Sequence, residues 1–255
     1  MRLLARCLAV VNQKGGVGKS TTAVNLGACL GELGKRVLLV DIDPQGNASS
    51  GVGVEKNDVQ GCMYDVLIEG RSMEEVIQPT AISGLDVAPA TLELAGAEIE
   101  LVSAMSREYR LKGALEVVQD DYDYILIDAP PSLGLLTINA LSAATAALVP
   151  IQCEYYALEG VSQLMSTVRL VKDHLNPSLE IGGVLMTMYD ARTNLSQQVV
   201  EEVRRYFGDK VFQTIIPRNV RLSEAPSHGQ PITLYDGHCR GAQAYRDLAR
   251  ELIGA

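Results

Sequence analysis

The stretch Lys14-Gly15-Gly16-Val17-Gly18-Lys19-Ser20-Thr21 lies between an apolar run at 8–11 and an amphipathic run at 22–33. This order predicts a buried strand, a glycine-rich turn and a helix. Three glycines let successive main-chain N–H groups converge on one hollow, and the start of the helix adds its own unpaired N–H groups. Because such a hollow binds phosphate, residues 14–21 are predicted to hold the phosphates of a nucleotide.

Two side chains of this stretch carry further chemistry. Lys19 is placed to reach the β- and γ-phosphates, and the Ser20 hydroxyl is placed to ligate Mg²⁺. The usual pattern G-x-x-x-x-G-K-S/T is not met, because Gln13 stands where its first glycine would fall and a second lysine, Lys14, follows. One alternative is a glycine-rich turn with solvated lysines. Another is a dinucleotide fold with Asp41 as the ribose acid, which the absence of G-x-G-x-x-G disfavours.

Two aspartates follow the predicted strand at 36–41. Carboxylates at the carboxyl end of a parallel strand face the ligand crevice, so Asp43 is a candidate for positioning the attacking water and for binding Mg²⁺. Asp41 either holds a water on Mg²⁺ or only caps the strand end. Turn chemistry is the alternative for both, since aspartate favours turns. Pro44, Gly46, Gly51 and Gly53 predict a loose loop that acts as a switch.

A second acidic strand end lies at Asp128, after the apolar run 124–127. A strand-terminal aspartate near a phosphate loop is the Walker B arrangement, in which the carboxylate orients Mg²⁺ or its waters. Pro130 and Pro131 restrict the loop that follows, so a hinged second switch is expected there. The alternative is a strand that simply ends in a turn.

The rest of the chain continues this alternation of strands and helices. Further strands are predicted at 85–90, 146–151 and 181–188, and helices at 62–68, 73–77, 91–105, 107–119, 157–175, 194–207 and 240–253. No internal repeat or linker interrupts the pattern. We therefore expect an α/β fold, with a single doubly wound, mainly parallel sheet, helices on both faces and one P-loop NTPase domain over residues 1–255.

Composition narrows the class of protein. The 255 residues are 47% hydrophobic, enough for a sizeable core, and no run of about 18 apolar residues predicts a membrane span. The apolar run near the start ends in the glycine-rich stretch, so no signal peptide is expected. Five cysteines without a C-x-x-C pair favour reduced thiols in a cytosolic protein.

The net charge of −9 argues against a surface that is basic throughout. The charge is uneven, however. Residues 187–250 carry nine Lys or Arg and seven Asp or Glu, a balance of +2, while the remainder stands at −11. This distribution permits a small basic face without establishing one.

Five segments together resemble the ParA/Soj family of chromosome- and plasmid-partitioning ATPases over essentially the whole chain. They are KGGVGKST at 14–21, DIDPQGN at 41–47, ILIDAPPSLG at 125–134, MYDARTNLSQQVVEEVRRYFG at 188–208 and IPRNVRLSEAPSHGQPI at 216–232. The first is similar to the deviant Walker A motif of the ParA/MinD group. In that group the extra lysine, here Lys14, reaches the nucleotide of a partner subunit across a dimer interface.

The resemblance implies an ATP-dependent sandwich homodimer that hydrolyses ATP with Mg²⁺. Residues 14–21 would bind phosphates, with Ser20 on Mg²⁺, and the catalytic residues would be Lys14, Lys19, Asp43, which acts on the water, and Asp128. Asp43 and Asp128 are also candidate metal ligands. Pro217 and Asn219 would meet the adenine.

The resemblance also implies a cytoplasmic, nucleoid-associated protein. Arg192 and Arg221 would contact phosphates of double-stranded DNA without reading its sequence. The usual partner is a ParB/Spo-type centromere-binding protein, whose flexible basic N-terminus stimulates hydrolysis. The alternative for both arginines is an ordinary solvated or salt-bridged side chain, since Glu224 lies three residues after Arg221.

Three other interpretations compete with this one. MinD-like proteins carry a C-terminal amphipathic membrane helix, whereas Asp247 and Glu251 dilute the basic face here, so no membrane partner is expected. Nitrogenase iron protein needs two cluster cysteines per chain, placed after the Walker motifs, and the cysteines here are not so placed. The third interpretation is a DNA-binding scaffold that is gated by nucleotide and hydrolyses ATP only incidentally. Measuring ATP turnover with and without DNA and partner would separate it from a true ATPase switch.

Overall fold

The computed structural model describes residues 5–56, 58–155 and 157–254. Its eight strands form one sheet in the order β3-β4-β2-β5-β1-β6-β7-β8. All neighbours pair in parallel except β3, which runs antiparallel to β4 at the edge. The strands are β1 (Arg6–Val10), β2 (Val37–Asp41), β3 (Gln78–Pro79), β4 (Leu85–Ala88), β5 (Tyr124–Asp128), β6 (Ala146–Gln152), β7 (Glu180–Tyr189) and β8 (Val211–Pro217).

The helices connect these strands in chain order. A π-helical turn at Asp65–Glu69 and short 3₁₀ turns supplement them. The α-helices are α1 (Lys19–Glu32), α2 (Asn47–Gly51), α3 (Leu94–Glu100), α4 (Arg110–Leu115), α5 (Leu135–Ala143), α6 (Glu159–His174), α7 (Asn194–Phe207), α8 (Val220–Glu224), α9 (Ile232–Tyr235) and α10 (Arg240–Ile253). Every helix in the described part of the chain is too short or too polar to span a bilayer.

Two hydrophobic cores lie on opposite faces of the sheet. Successive residues of β1 alternate between them, because side chains of a strand point to opposite faces. Leu8 and Val10 pack with α1 and α10, whereas Cys7 and Ala9 pack with α5, α6 and α7. The predicted doubly wound sheet with helices on both faces is confirmed. That residues 1–255 form one domain stays a prediction, and residues 1–4 and 255 lie outside the described residues.

The strand order positions the candidate site. The chain leaves β1 toward β2 and β4, returns through β5, and then crosses to β6, β7 and β8 on the other side of β1. In such a sheet, ligands bind beyond the carboxyl ends of the strands where the order reverses. Asp41 and Asp128 are partners in register at the ends of β2 and β5, and Val10 is the neighbour of Asp128 on β1.

Several segments differ from the sequence predictions. The loop expected to be loose after Asp43 contains α2, in which Ala48 and Ser49 are fully buried. Helix α5 was not predicted, because Leu136, Asn139 and other residues around it are buried on several sides and leave no amphipathic period. The helices predicted at 91–105 and 107–119 are shorter than expected and partly 3₁₀.

Candidate functional site

The glycine-rich loop spans the gap between β1 and α1. Gly16 and Gly18 have φ angles of +74° and +89°, a left-handed conformation that glycine adopts without strain. Two side chains hold the loop in place. Asn12 accepts a hydrogen bond from the Lys14 main-chain N–H at 2.9 Å and donates to the Pro150 carbonyl at 2.7 Å, while Thr187 on β7 donates to the Val17 carbonyl at 2.8 Å. The loop is therefore anchored to β6 and β7.

The two lysines of the loop have different surroundings. Lys19 is 6% exposed, and its ammonium lies 3.5 Å from the main-chain carbonyl oxygen of Lys14. Burial lowers the pKa of Lys19, and the carboxylates of Asp128 and Asp43 partly offset that shift. The Lys14 side chain is exposed. One lysine thus lies inside the subunit and the other is available at its surface.

Asp41 is fully buried with all of its hydrogen-bonding groups used. Its Oδ2 accepts from the Ser49 N–H at 2.8 Å and the Ser49 hydroxyl at 2.7 Å, and its Oδ1 accepts from the Asp43 N–H at 3.1 Å. Burial raises the pKa of Asp41 to about 6, against the effect of these hydrogen bonds. Asp41 therefore connects the end of β2 to α2.

Asp128 is also fully buried, but neither carboxylate oxygen has a hydrogen-bond partner among the described residues. Burial, followed by the charge of Asp41, raises the pKa of Asp128 well above its usual value. The Ser20 hydroxyl is near enough to favour the ionised form without the geometry of a hydrogen bond. An unpaired buried carboxylate is costly unless a cation binds it.

This arrangement fits Mg²⁺, which takes oxygen ligands and is usually held by one or two carboxylates together with substrate phosphates. The bare oxygens of Asp128 and the hydroxyl of Ser20 supply such ligands on one side. Asp43 is 6% exposed, and its Oδ1 accepts from the Gln45 N–H at 2.9 Å, which sets the turn after β2. The residues present therefore suit a nucleotide accompanied by a divalent cation.

A cleft of about 520 Å³ opens above the glycine-rich loop. Besides that loop, the residues that line it include Asp43, Gln45, Pro131 and four residues of the segment 225–230, namely Ala225, Pro226, Ser227 and Gln230. A second cavity of about 400 Å³ contains the predicted adenine contacts Pro217 and Asn219. The two cavities have Gly18, Thr21 and Pro226 in common. The predicted phosphate and base contacts are thus brought together on one continuous wall.

Comparisons with known proteins show which family this chain belongs to. Residues 5–181 match a family model described as an AAA domain. The sporulation initiation inhibitor protein Soj of Bacillus subtilis (strain 168) is 65% identical over 249 residues, which cover 98% of each chain. The chromosome-partitioning ATPase Soj of Treponema pallidum (strain Nichols) is 54% identical over 250 residues, again 98% of each. This chain belongs to the ParA/Soj family of chromosome-partitioning ATPases.

As a ParA/Soj member, the chain is a P-loop ATPase. A solved structure of cobyrinic acid a,c-diamide synthase from Mycobacterium smegmatis with bound ADP and magnesium has the same fold. Its TM-score is 0.86 at 39% identity, over 98% of this chain and 94% of that one. The nucleotide and cation of that structure agree with the chemistry of the cleft described above.

The predicted DNA contacts of the ParA/Soj resemblance lie at the surface, and both are ion-paired. Arg192, between β7 and α7, donates to Asp190 at 2.9 and 2.7 Å and holds the pKa of that carboxyl well below its usual range. Arg221 on α8 contacts Glu224 at 2.9 Å and Asp236 at 3.5 Å. The Arg192 side chain is 86% exposed whereas that of Asp190 is only 19% exposed, so both arginines are salt-bridged side chains at the surface.

Several residues of the site were missed by sequence reasoning. Asn12, Ser49 and Thr187 hold the site through contacts with residues far along the chain or across a helix, and single polar residues of this kind have no motif. The segment 225–230 forms one side of the cleft although no glycine-rich or acidic pattern marks it as part of the site. Only the family resemblance had pointed to its neighbours Pro217 and Asn219.

Proposed function

We propose that this chain binds ATP with Mg²⁺, forms a nucleotide-sandwich homodimer, binds double-stranded DNA without sequence preference, and hydrolyses ATP when a ParB/Spo-type partner stimulates it. One observation carries the proposal. The buried Lys19, the bare carboxylate of Asp128 and the exposed Lys14 all lie around one glycine-rich loop. Together they supply a cation inside the subunit, a metal ligand and a cation outside it.

Each part of the loop has a role in this proposal. The main-chain N–H groups of residues 15–21 and the ammonium of Lys19 bind the phosphates, and the start of α1 adds its positive dipole end. Ser20, Asp43 and Asp128 would hold Mg²⁺, which would neutralise phosphate charge when bound. Asp43 orients the attacking water. Removing such positioning typically costs about 10²–10⁴ in rate.

The exposed Lys14 accounts for dimerisation. Its side chain is exposed and has no ion pair among the described residues, and it directly precedes Gly15 and Gly16, which line the cleft. A cation from the partner subunit helps to offset triphosphate charge that Lys19 alone does not balance. Pro217 and Asn219, in the cavity that joins the cleft, contact the adenine.

DNA binding in this proposal depends on a local basic surface. With a net charge of −9 the chain as a whole is repelled by DNA, so Arg192 and Arg221 must provide the attraction. A single patch binds weakly, but a dimer presents two patches and raises the effective concentration of the second. Affinity for DNA should therefore require ATP, which places the ATP-bound form on the nucleoid in the cytoplasm.

Sizing chromatography of the Asp43→Ala variant tests the proposal. With hydrolysis removed, the variant should elute as a dimer with ATP and as a monomer with ADP or no nucleotide. Lys19→Ala serves as the control and should elute as a monomer in all three conditions. A nucleotide-independent elution position for Asp43→Ala would contradict the sandwich dimer.

A further inference from the structure

Helix α3 and its flanking turns present apolar residues on two opposite sides. The chain is helical from Glu93 to Ser103, since both ends of α3 keep helical dihedrals and the following 3₁₀ turn continues it. Leu94, Ala97 and Leu101 are fully buried in the core. The opposite side carries four apolar residues, all exposed to solvent, at 3-4-3 spacing: Leu92, Ala95, Ile99 and Val102.

This outer face, defined by residues 92, 95, 99 and 102, is unusual for a protein surface. Leu92 is 69% exposed, Ile99 77% and Val102 59%, and Met105 just beyond them is 87% exposed. A surface helix of a globular protein normally buries one apolar face and turns polar residues to solvent, whereas this helix has apolar residues on both sides. Exposed apolar residues that occur singly need no explanation, but a stripe at heptad spacing matches the seam by which one helix packs on another.

The charge around the outer face restricts what can cover it. Residues 91–106 contain three glutamates, Glu93, Glu98 and Glu100, and no Lys, Arg or His. The wider segment 61–121 carries twelve Asp or Glu against four Lys or Arg, a balance of −8 in a chain of −9. A second copy of the chain would bring the same acidic surface, which opposes self-association through this face. A basic helix is complementary to it.

We propose that the outer face is the docking surface for a basic amphipathic helix of a partner protein, with apolar residues at 3-4 spacing against Leu92, Ile99 and Val102. This inference rests on the proposed function in one respect only, namely that a basic partner protein binds this chain and stimulates its ATP hydrolysis. The inner side of the same helix contacts the loop after Asp128: Glu98 accepts from the Leu136 N–H at 3.3 Å.

That contact gives docking a route to the nucleotide. Leu136 lies in the first turn of α5, directly after the loop 129–134 that begins at Asp128. The carboxylate of Glu98 also lies against Gly134, so a Cβ at that position would displace the end of the Glu98 side chain. A partner on the outer face thus lies about one helix diameter, on the order of 10 Å, from the loop that carries the metal ligand.

The probe is a synthetic helical peptide with leucines at 3-4 spacing and lysines elsewhere, and fluorescence anisotropy measures its binding to the nucleotide-free protein. An acidic peptide, with glutamates in place of the lysines, should bind far more weakly. The double variant Ile99→Asp, Val102→Asp should weaken binding of the basic peptide by roughly tenfold or more. Glu93→Lys should weaken it by a smaller factor, through charge alone.

The matched control is Leu170→Asp, which places a charge at a similarly exposed leucine on α6 and should leave peptide affinity unchanged. Circular dichroism checks that all variants are folded. Equal affinity for basic and acidic peptides, or unchanged affinity in the double variant, would overturn the proposal. So would loss of the ATP-dependent dimer in the double variant, which would assign the face to a second copy. Peptide binding is measured without nucleotide and does not depend on hydrolysis. A failure of this docking proposal is therefore distinguishable from a failure of the proposed function.

Discussion

The ammonium of Lys19 lies 3.5 Å from the main-chain carbonyl oxygen of Lys14, yet the two side chains occupy opposite environments. Lys19 is buried beneath the loop, close enough to the charges of Asp128 and Asp43 to be influenced by both. Lys14 is exposed at the rim. The same loop therefore divides two cations between the interior of the subunit and its surface.

This division predicts different losses for the two lysines. Lys19→Ala should weaken ATP binding by roughly 10- to 100-fold, because it removes charged hydrogen bonds to phosphate. Lys14→Ala should weaken ATP binding to the monomer by less than about fivefold, as expected of an exposed charge, and should abolish the ATP-dependent dimer. Titration calorimetry and sizing chromatography measure these effects, with Lys172→Ala on α6 as the control. Equal losses of ATP affinity in both variants would contradict the division of roles.

The role of Asp43 is separable from its turn. Asp43→Asn keeps a side-chain oxygen to accept from the Gln45 N–H, whereas Asp43→Ala does not. If the carboxylate orients the attacking water, both variants should bind ATP and lose about 10²–10⁴ in stimulated turnover. A steady-state phosphate-release assay with DNA and partner provides the measurement. Near-normal turnover in Asp43→Asn would show that Asp43 only stabilises the turn and does not orient the attacking water.

Asp128 and Asp41 offer a matched pair of substitutions. In the nucleotide-free protein, Asp128→Asn should raise the free energy of unfolding by about 1–2 kcal/mol, because it removes a buried carboxyl group that has no hydrogen-bond partner among the described residues and whose ionised form burial and the charge of Asp41 disfavour. The same variant should lose most of the stabilisation that ATP with Mg²⁺ provides. Asp41→Asn should instead lower stability, since all three of its hydrogen bonds are to a carboxylate. Urea unfolding distinguishes these outcomes, and a destabilised Asp128→Asn would show that its charge is already satisfied.

The stability cost of removing the Ser49 hydroxyl should depend on pH. The pKa of Asp41 is raised from 3.8 to about 6, so the stability contributed by its proton is complete below about pH 4 and is lost as pH rises through about 6. The Ser49 hydroxyl limits that loss by donating to the ionised carboxylate at 2.7 Å. Ser49→Ala should therefore cost about 1–3 kcal/mol at pH 8 and distinctly less at pH 5.

Thermal or urea unfolding at the two pH values checks the Ser49 prediction. Ser142→Ala is the control, because the Ser142 hydroxyl is buried without a hydrogen-bond partner among the described residues and its loss should be small at both pH values. An equal cost of Ser49→Ala at pH 5 and pH 8 would contradict the prediction, because it would mean that Asp41 keeps one ionisation state in the folded protein across this range.

The affinity for DNA should fall with salt concentration, as expected for a protein that neutralises DNA phosphates. In the Asp43→Ala background with ATP, the double variant Arg192→Ala, Arg221→Ala should bind unrelated duplexes more weakly. Its log–log salt slope should fall by about 0.9 for each DNA phosphate that the protein no longer neutralises. Arg169→Ala removes an exposed, ion-paired arginine on α6 and should change neither quantity. Unchanged affinity and slope in the double variant would exclude these arginines as the DNA-binding surface.

The sequence alone predicted the parts of the protein that depend on neighbouring residues. The strand, turn and helix around residues 14–21 are contiguous, so hydrophobic period, glycines and lysine together determine that local fold. The buried runs that end at Asp41 and Asp128 also predicted two strands with acids at their carboxyl ends. Both are confirmed, as is the sheet that they belong to.

Only the tertiary structure distinguished the two acids. Asp41 and Asp128 end similar strands, yet Asp41 is satisfied by Ser49 on the following helix whereas Asp128 has bare oxygens. Hydrophobic periodicity reports which face of an element is buried, but not which distant group meets it. The anchoring of the loop by Asn12 and Thr187, the wall built from 225–230, and a helix α5 buried on several sides all depend on contacts between segments remote in sequence. Such contacts form only when the strands take their order in the sheet. For that reason the sequence could predict candidate residues of the site, whereas the tertiary structure determined what each of them contacts.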